Sequence, residues 1–233
     1  MTSKLLKIQP RPDYVEEVYE VLLDAICDGS LAPGARLTQE DIAEQLSVSR
    51  SPVLQALRLL KKDGLVQDAP GRGLLVAPME ASALADLYEI RGALDVLAAR
   101  LAAGAGARLD LKLIERGRKA AQTGNVHAMI DADMEFHFAI YAASGNRLIA
   151  QTAHGHWVHI RRVMGAVLQA PGQRPSIWDE HAAIANAIEA GDCALAERLA
   201  EGHAKRASQL VAGQFDALVG AVNLSTEATE MLA

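Results

Sequence analysis

"LAPGARLTQEDIAEQLSVSRSPVLQALRLLKKDGLV", residues 31–66, is the stretch whose reading decides the fold of the N-terminal part of this 233-residue chain. "LAPGARL" at 31–37 supplies a turn. Thr38, with Asp41 three residues on, resembles a capping box and opens a helix of about nine residues that carries Ile42, Ala43 and Leu46. "SVS" at 47–49 breaks that period. A second helix then starts near Ser49, with Pro52 in its first turn where a missing N–H costs little, and runs through Val53, Leu57 and Leu60 until Asp63-Gly64. Upstream, Val15, Val18, Tyr19, Leu22, Leu23 and Ile26 mark a helix from Tyr14 to Cys27; residues 1–12 read as a loose leader. Downstream, the extended pieces "GLVQDA" and "GLLVAP" flank the turn "PGRG". Helix, helix, turn, helix and β-hairpin is the order of a winged helix-turn-helix, expected over 13–78.

In that architecture the first turn of the second helix enters the major groove, where short donors and a guanidinium reach phosphates and base edges. Ser49, Arg50 and Ser51 stand at that turn, and Gln55 lies one turn further along. Gly71-Arg72-Gly73 at the hairpin tip lets the backbone come close to DNA while Arg72 reaches a groove or a phosphate. The formal net charge of −6 argues against indiscriminate nucleic-acid binding, yet residues 47–76 hold five Lys and Arg against two Asp. A local basic patch on an acidic chain suits selective contact with double-stranded DNA.

From Met79 onward the sequence becomes rich in Ala and Leu with helical periodicity, and the boundary falls near Pro78. Helices are expected at 80–104, 108–123, 126–144, 147–169, 175–190 and 193–219, which together make an antiparallel bundle over 80–220. The expected fold class is mainly α: an N-terminal winged helix-turn-helix followed by an all-α bundle. No secretory signal or bilayer-length apolar run is evident, so the expected location is cytoplasmic, without a membrane partner. Cys27 and Cys193 read as two buried thiols with no disulfide or cysteine zinc site.

Several polar residues sit on faces that should be buried. Asp133 and His137 line up with Val126, Met129, Ile130 and Ile140; His181 is in register with Ile177, Ile184 and Ile188; His203 with Leu199 and Leu210. A buried carboxylate needs a hydrogen bond, a ligand or a metal to compensate its desolvation, and the pattern by itself leaves these open. Inward His and carboxylate groups from separate helices are how bundles build metal sites. Arg91 shares a face with Leu84, Leu87 and Ala98; either it clamps an effector carboxylate or it pairs with Asp95 four residues on. Asn146 in "SGN" caps a helix, touches the effector, or does both. His154, His156 and His159 in "HGHWVHIRR" are left outside the site, and His127 reads as solvated.

On these motifs the N-terminal part resembles the winged-helix domain of the GntR family of bacterial transcriptional regulators. Residues 80–220, through "LYEIRGALDVLAARLAA", "DMEFHFAIYAASGN", "DEHAAIANAIEAGD" and "AERLAEGHAKR", resemble the all-helical effector domain called FCD of that family's fatty-acid-regulator-like branch. The resemblance implies DNA contacts at Ser49, Arg50, Ser51, Arg72 and Gly73. It also implies a divalent metal (Zn, Ni, Mn or Fe) held by Asp133, His137, His181 and His203. Two positions depart from the family pattern: Leu54-Gln55 stands for the usual Arg-Glu, and Glu40 for an Arg of many members. Two habitual cationic contacts are therefore absent, and Gln55 is suited to reading adenine. The function implied is a homodimeric, metabolite-responsive regulator, a repressor, that binds a pseudo-palindromic operator and senses a small organic acid. The alternative is a metal-dependent hydrolase or lyase with an appended DNA-binding module, although Glu135 points away from Asp133 and His137 and no general base is identifiable.

Overall fold

The computed structural model describes residues 14–168 and 177–230, and the chain divides into two compact units, the first ending at Ala77 and the second starting at Pro78 and also taking in Cys27–Ser30. The leader and the expected start of a helix at 175 lie outside the described residues. In the first unit α1 (Tyr14–Cys27), α2 (Gln39–Gln45) and α3 (Arg50–Lys62) form the helical layer. Thr38 caps α2: its Oγ1 accepts from the Asp41 N–H at 3.2 Å and donates to the Asp41 carboxylate at 2.6 Å. α2 holds seven residues rather than about nine because Leu46 already closes it as C-cap. Ser47 then takes a left-handed φ of +55°, which turns the chain into α3. Val53, Ala56, Leu57 and Leu60 form the buried stripe of α3.

The expected hairpin is part of a three-stranded antiparallel sheet, β1 (Arg36–Leu37), β2 (Val66–Asp68) and β3 (Leu74–Val76), in the order β1-β3-β2. The sequence reading assigned "LAPGARL" wholly to a turn; Arg36 and Leu37 instead pair with Leu75 and Leu74. Two residues are too short to display strand alternation. The pairing is set by the preceding turn, where Gly34 (φ +81°) donates to the Val76 carbonyl at 2.9 Å and Val76 donates to Ala35 at 3.0 Å.

Among the described residues the second unit contains six helices: α4 (Ala81–Gly104), α5 (Lys112–Thr123), α6 (Val126–Ala143), α7 (Arg147–Leu168), α8 (Ile177–Glu189) and α9 (Cys193–Glu230). α5 starts four residues later than expected, and α9 continues past 219 to Glu230. α4 packs along α9, and α6 is bordered by α4, α5 and α7, which puts its buried face at the centre of the bundle. Ala98, Ala99, Ala102 and Ala103 are all buried on α4, and their small side chains let neighbouring helices come close. Gly117 does the same on α5, because a Cβ there would lie 2.0 Å from the Trp178 ring of α8. Cys27 is buried, whereas Cys193 is only half-buried, a correction to the reading of two buried thiols. Cys193 follows the Gly191-Asp192 turn at the start of α9, where packing around the helix is incomplete. Among the described residues no helix is long and apolar enough to cross a membrane.

Candidate functional site

In the helical unit the polar residues expected on buried faces converge. Asn125 caps α6 by accepting from the Ala128 N–H at 3.0 Å, and the i, i+4 spacing along that helix turns Asp133 and His137 inward together. His181 comes from α8 and His203 from α9; Asp133 and all three histidines are buried, His181 fully. One ring nitrogen from each of His137, His181 and His203 lies within 4.8 Å of the others. His181 Nε2 is 3.3 Å from His203 Nε2 and 3.5 Å from Asp133 Oδ1, and His137 Nε2 is 3.9 Å from Asp133 Oδ1.

The hydrogen bonds behind these rings fix which nitrogen faces inward. His137 Nδ1 lies 3.1 Å from Asp95 Oδ1, and His203 Nδ1 lies 3.0 Å from Glu180 Oε2. An ionised carboxylate only accepts, so both Nδ1 atoms carry the hydrogen and both Nε2 lone pairs face the cluster. Burial alone would push the Asp95 carboxyl up, but His137, its hydrogen bond and Arg91 outweigh burial and hold it well below the usual carboxylate range. Burial, followed by the neighbouring histidines and Arg91, drives His181 well below its ordinary value. His203 is also lowered, first by burial and against the Glu180 hydrogen bond. His181 and His203 are therefore neutral at pH 7. His181 Nδ1 meets no protein acceptor among the described residues; its ring is stacked on Phe136 at 4.2 Å and edged by Trp178 at 4.7 Å.

Arg91, buried on α4, makes the pair with Asp95 that was one of the two roles left open for it. Its Nε is 3.5 Å from Asp95 Oδ2, the expected i, i+4 pair, while its Nη2 reaches Asp133 Oδ2 at 3.1 Å and His137 Nε2 at 2.8 Å. The guanidinium also lies 4.7 Å over the Trp157 ring. Burial lowers its pKa, but Asp133 and Asp95 more than compensate and keep it protonated. One cation, Arg91, faces two buried carboxylates, Asp95 and Asp133, beside the three rings. Three convergent imidazole nitrogens and a carboxylate fit a divalent cation of borderline softness.

Other expected residues sit elsewhere. Asn146 lies in the loop between α6 and α7, where its Oδ1 accepts from the Leu148 N–H at 3.1 Å and its own N–H donates to Ser144. These contacts are local and match the capping role. Glu135 is exposed and paired with Arg116 at 2.6 Å, away from the cluster. His154 edges Phe138 on the outer side of α7, and His127 is exposed beside Asp131. Asp95 and Glu180 were not anticipated behind the rings. For Asp95 the signal was its spacing from Arg91, which pointed to a different partner; Glu180 gave none, because its contact with His203 joins two helices.

In the winged unit Ser49, Arg50, Ser51 and Gln55 are exposed at the start of α3, and Arg72 and Gly73 are exposed in the turn between β2 and β3. Arg50 pairs with Glu40 at 3.2 Å, so the departure at Glu40 places an acid directly on the principal cation of this face. Gln55 Nε2 donates to Ser51 Oγ at 3.5 Å. Arg36 donates to the carbonyls of Pro70 and Arg72 and ties the wing turn to β1. Gly73 has φ +92°, and a Cβ there would lie 2.8 Å from the Leu37 carbonyl, so its glycine is required by the approach of β1.

Comparison with known proteins identifies both units. Residues 86–206 match the FCD domain and residues 14–76 match the bacterial regulatory proteins of the gntR family. An HTH-type transcriptional regulator in an unstable DNA locus of Streptomyces ambofaciens is 29% identical over 80% of this chain and 80% of its own length. The HTH-type transcriptional regulator LutR of Bacillus subtilis is 28% identical over 82% of this chain and 98% of its own. The solved structure of Escherichia coli McbR/YncC superposes with a TM-score of 0.74 at 23% identity, covering 87% of this chain and 98% of that one, a likeness of fold. These families and relatives are transcriptional regulators and not enzymes, which removes support from the hydrolase or lyase alternative. A winged helix-turn-helix followed by an FCD bundle places this chain in the GntR family of DNA-binding transcriptional regulators.

Proposed function

We propose that the protein is a metabolite-responsive repressor that binds a pseudo-palindromic operator as a homodimer and senses a small organic acid at a divalent metal in its helical unit. The observation that carries the sensing half is the convergence of three imidazoles with Asp133 inside the bundle. Asp133, His137, His181 and His203 hold the metal, with Zn, Ni, Mn and Fe all suited to this donor set. Bound there, the cation supplies positive charge and open coordination positions for an effector oxygen. Arg91 adds a planar donor fork on the same side and recognises the effector carboxylate. Ser49, Arg50, Ser51 and Gln55 contact the major groove while Arg72 and Gly73 contact the flanking groove or phosphates, which puts the protein in the cytoplasm with its operator. Effector binding shifts the population between two arrangements of the paired DNA-binding units, and by linkage operator and effector weaken each other.

Two measurements on the untreated full chain test this reading. Elemental analysis with native mass spectrometry is expected to find one divalent metal per chain in a dimer. Footprinting on the DNA upstream of its own gene is expected to show symmetric protection that organic acids release. A metal-free monomer that takes up no added metal overturns the sensing half, and absence of any site-selective protection at low salt overturns the operator half.

A further inference from the structure

Behind two of the three inward histidines stands a carboxylate from a different helix. Asp95 of α4 meets His137 Nδ1 at 3.1 Å and also accepts from the Tyr141 hydroxyl, while Glu180 of α8 meets His203 Nδ1 at 3.0 Å and accepts from Arg206 Nε at 2.9 Å. The third ring, His181, has no such acceptor among the described residues and is held by Phe136 and Trp178. The pairs share one pattern: a carboxylate outside, Nδ1–H donated to it, and Nε2 turned to the cluster. Asp95 is buried, so an ionised carboxylate there needs a compensating role, and Arg91 already has Asp133 as a second acid partner.

Resting on the metal reading above, we infer that Asp95 and Glu180 are positioning residues of the metal centre. Each locks one imidazole in the Nδ1–H form, fixes its plane, and raises the donor strength of its Nε2 through a charge-assisted hydrogen bond. His181 is oriented by ring packing alone and is the weakest donor of the three. The chain thus supports two ligands by charge and one by shape.

The test compares Co2+ binding to the full-length wild type, Glu180→Gln, Asp95→Asn and Arg206→Ala, by chelator competition and by the visible band of the bound ion. The amide variants keep size and an acceptor oxygen, so a merely space-filling role leaves both readouts unchanged. Under the inference, Glu180→Gln and Asp95→Asn each lose about 10- to 100-fold in Co2+ affinity and shift the visible band. Glu180→Asp recovers part of the loss, and Arg206→Ala, which removes only the outer partner of Glu180, stays within about twofold of wild type, the scale of an exposed contact. Circular dichroism of the metal-free variants separates folding from binding; should Asp95→Asn fail to fold, Glu180→Gln decides alone. Wild-type affinity with an unshifted band in Glu180→Gln, when wild type binds Co2+, overturns this inference and leaves the metal reading standing. A wild type that binds no Co2+ overturns the metal reading and this inference with it.

Discussion

Replacing Arg91 with Met tests the electrostatics of the site most directly. The side chain is 5% exposed and its guanidinium is the cation shared by Asp133 at 3.1 Å and Asp95 at 3.5 Å. Met keeps the apolar stem beside Trp157 and removes the charge. Asp95 retains His137 and the Tyr141 hydroxyl, so the loss falls mainly on Asp133, whose remaining neighbours are imidazoles at 3.5 and 3.9 Å. Removing one partner of a buried ion pair costs about 3–5 kcal/mol. For a unit of this size, at roughly 2–4 °C per kcal/mol, the metal-stripped protein should melt about 6–20 °C lower. Adding Asp133→Asn to Arg91→Met removes the stranded carboxylate and should recover part of that loss, about 1–3 kcal/mol of coupling in a double-mutant cycle. Thermal and urea unfolding followed by circular dichroism on metal-stripped chains provide the measurement. A loss below about 1 kcal/mol, the scale of an exposed pair, or a double variant no better than the single one, would refute the argument that Arg91 compensates buried carboxylate charge.

Three further outcomes are expected. Glu40→Gln should strengthen operator binding by roughly twofold to fivefold, the worth of an exposed ion pair, because Arg50 no longer shares its charge with the acid at 3.2 Å; a gel shift at fixed salt reads this, and weaker binding would contradict it. Gly117→Ala should lower the melting temperature, because driving a Cβ to 2.0 Å from the Trp178 ring costs about 1–3 kcal/mol of overpacking against a helix-propensity gain of about 1 kcal/mol; unchanged stability together with unchanged Trp emission would refute the close approach. For pH, burial holds His181 and His203 below their unfolded value of 6.5, so below pH 6.5 the unfolded chain binds protons that the folded one does not. Stability of the metal-free protein is therefore fully present above pH 6.5 and falls as the pH drops, by up to about 1.4 kcal/mol per pH unit for each histidine. Urea titrations between pH 7.5 and 5 check this, and a flat profile counts against it.

Much of the winged unit was legible in residues 31–66 because its information is local. A cap, a proline in a first turn and an apolar stripe are written within one helix, so Thr38, Pro52 and the Val53–Leu60 face could be read in order. The inward phase of Asp133, His137, His181 and His203 was readable for the same reason, since the helical period dictates which residues share a face. β1 was not, because two residues show no period and their pairing depends on a turn that brings distant segments together. The alternatives for Arg91 could not be separated either, since both lay within reach of one flexible side chain until helix packing set α4 beside α6.

By itself, the sequence determined that this chain has a winged helix-turn-helix with a glycine-bounded wing and a helical bundle with four polar residues facing inward. Periodicity and capping act over one turn and survive without any neighbour. Only the tertiary structure decided that three imidazoles bring a nitrogen each within 4.8 Å of one another, that Asp95 and Glu180 stand behind two of them, and that Glu40 pairs with Arg50. Those facts depend on the separation and rotation of whole elements, which are set by how small residues such as Gly117 and Ala98 let one element approach another.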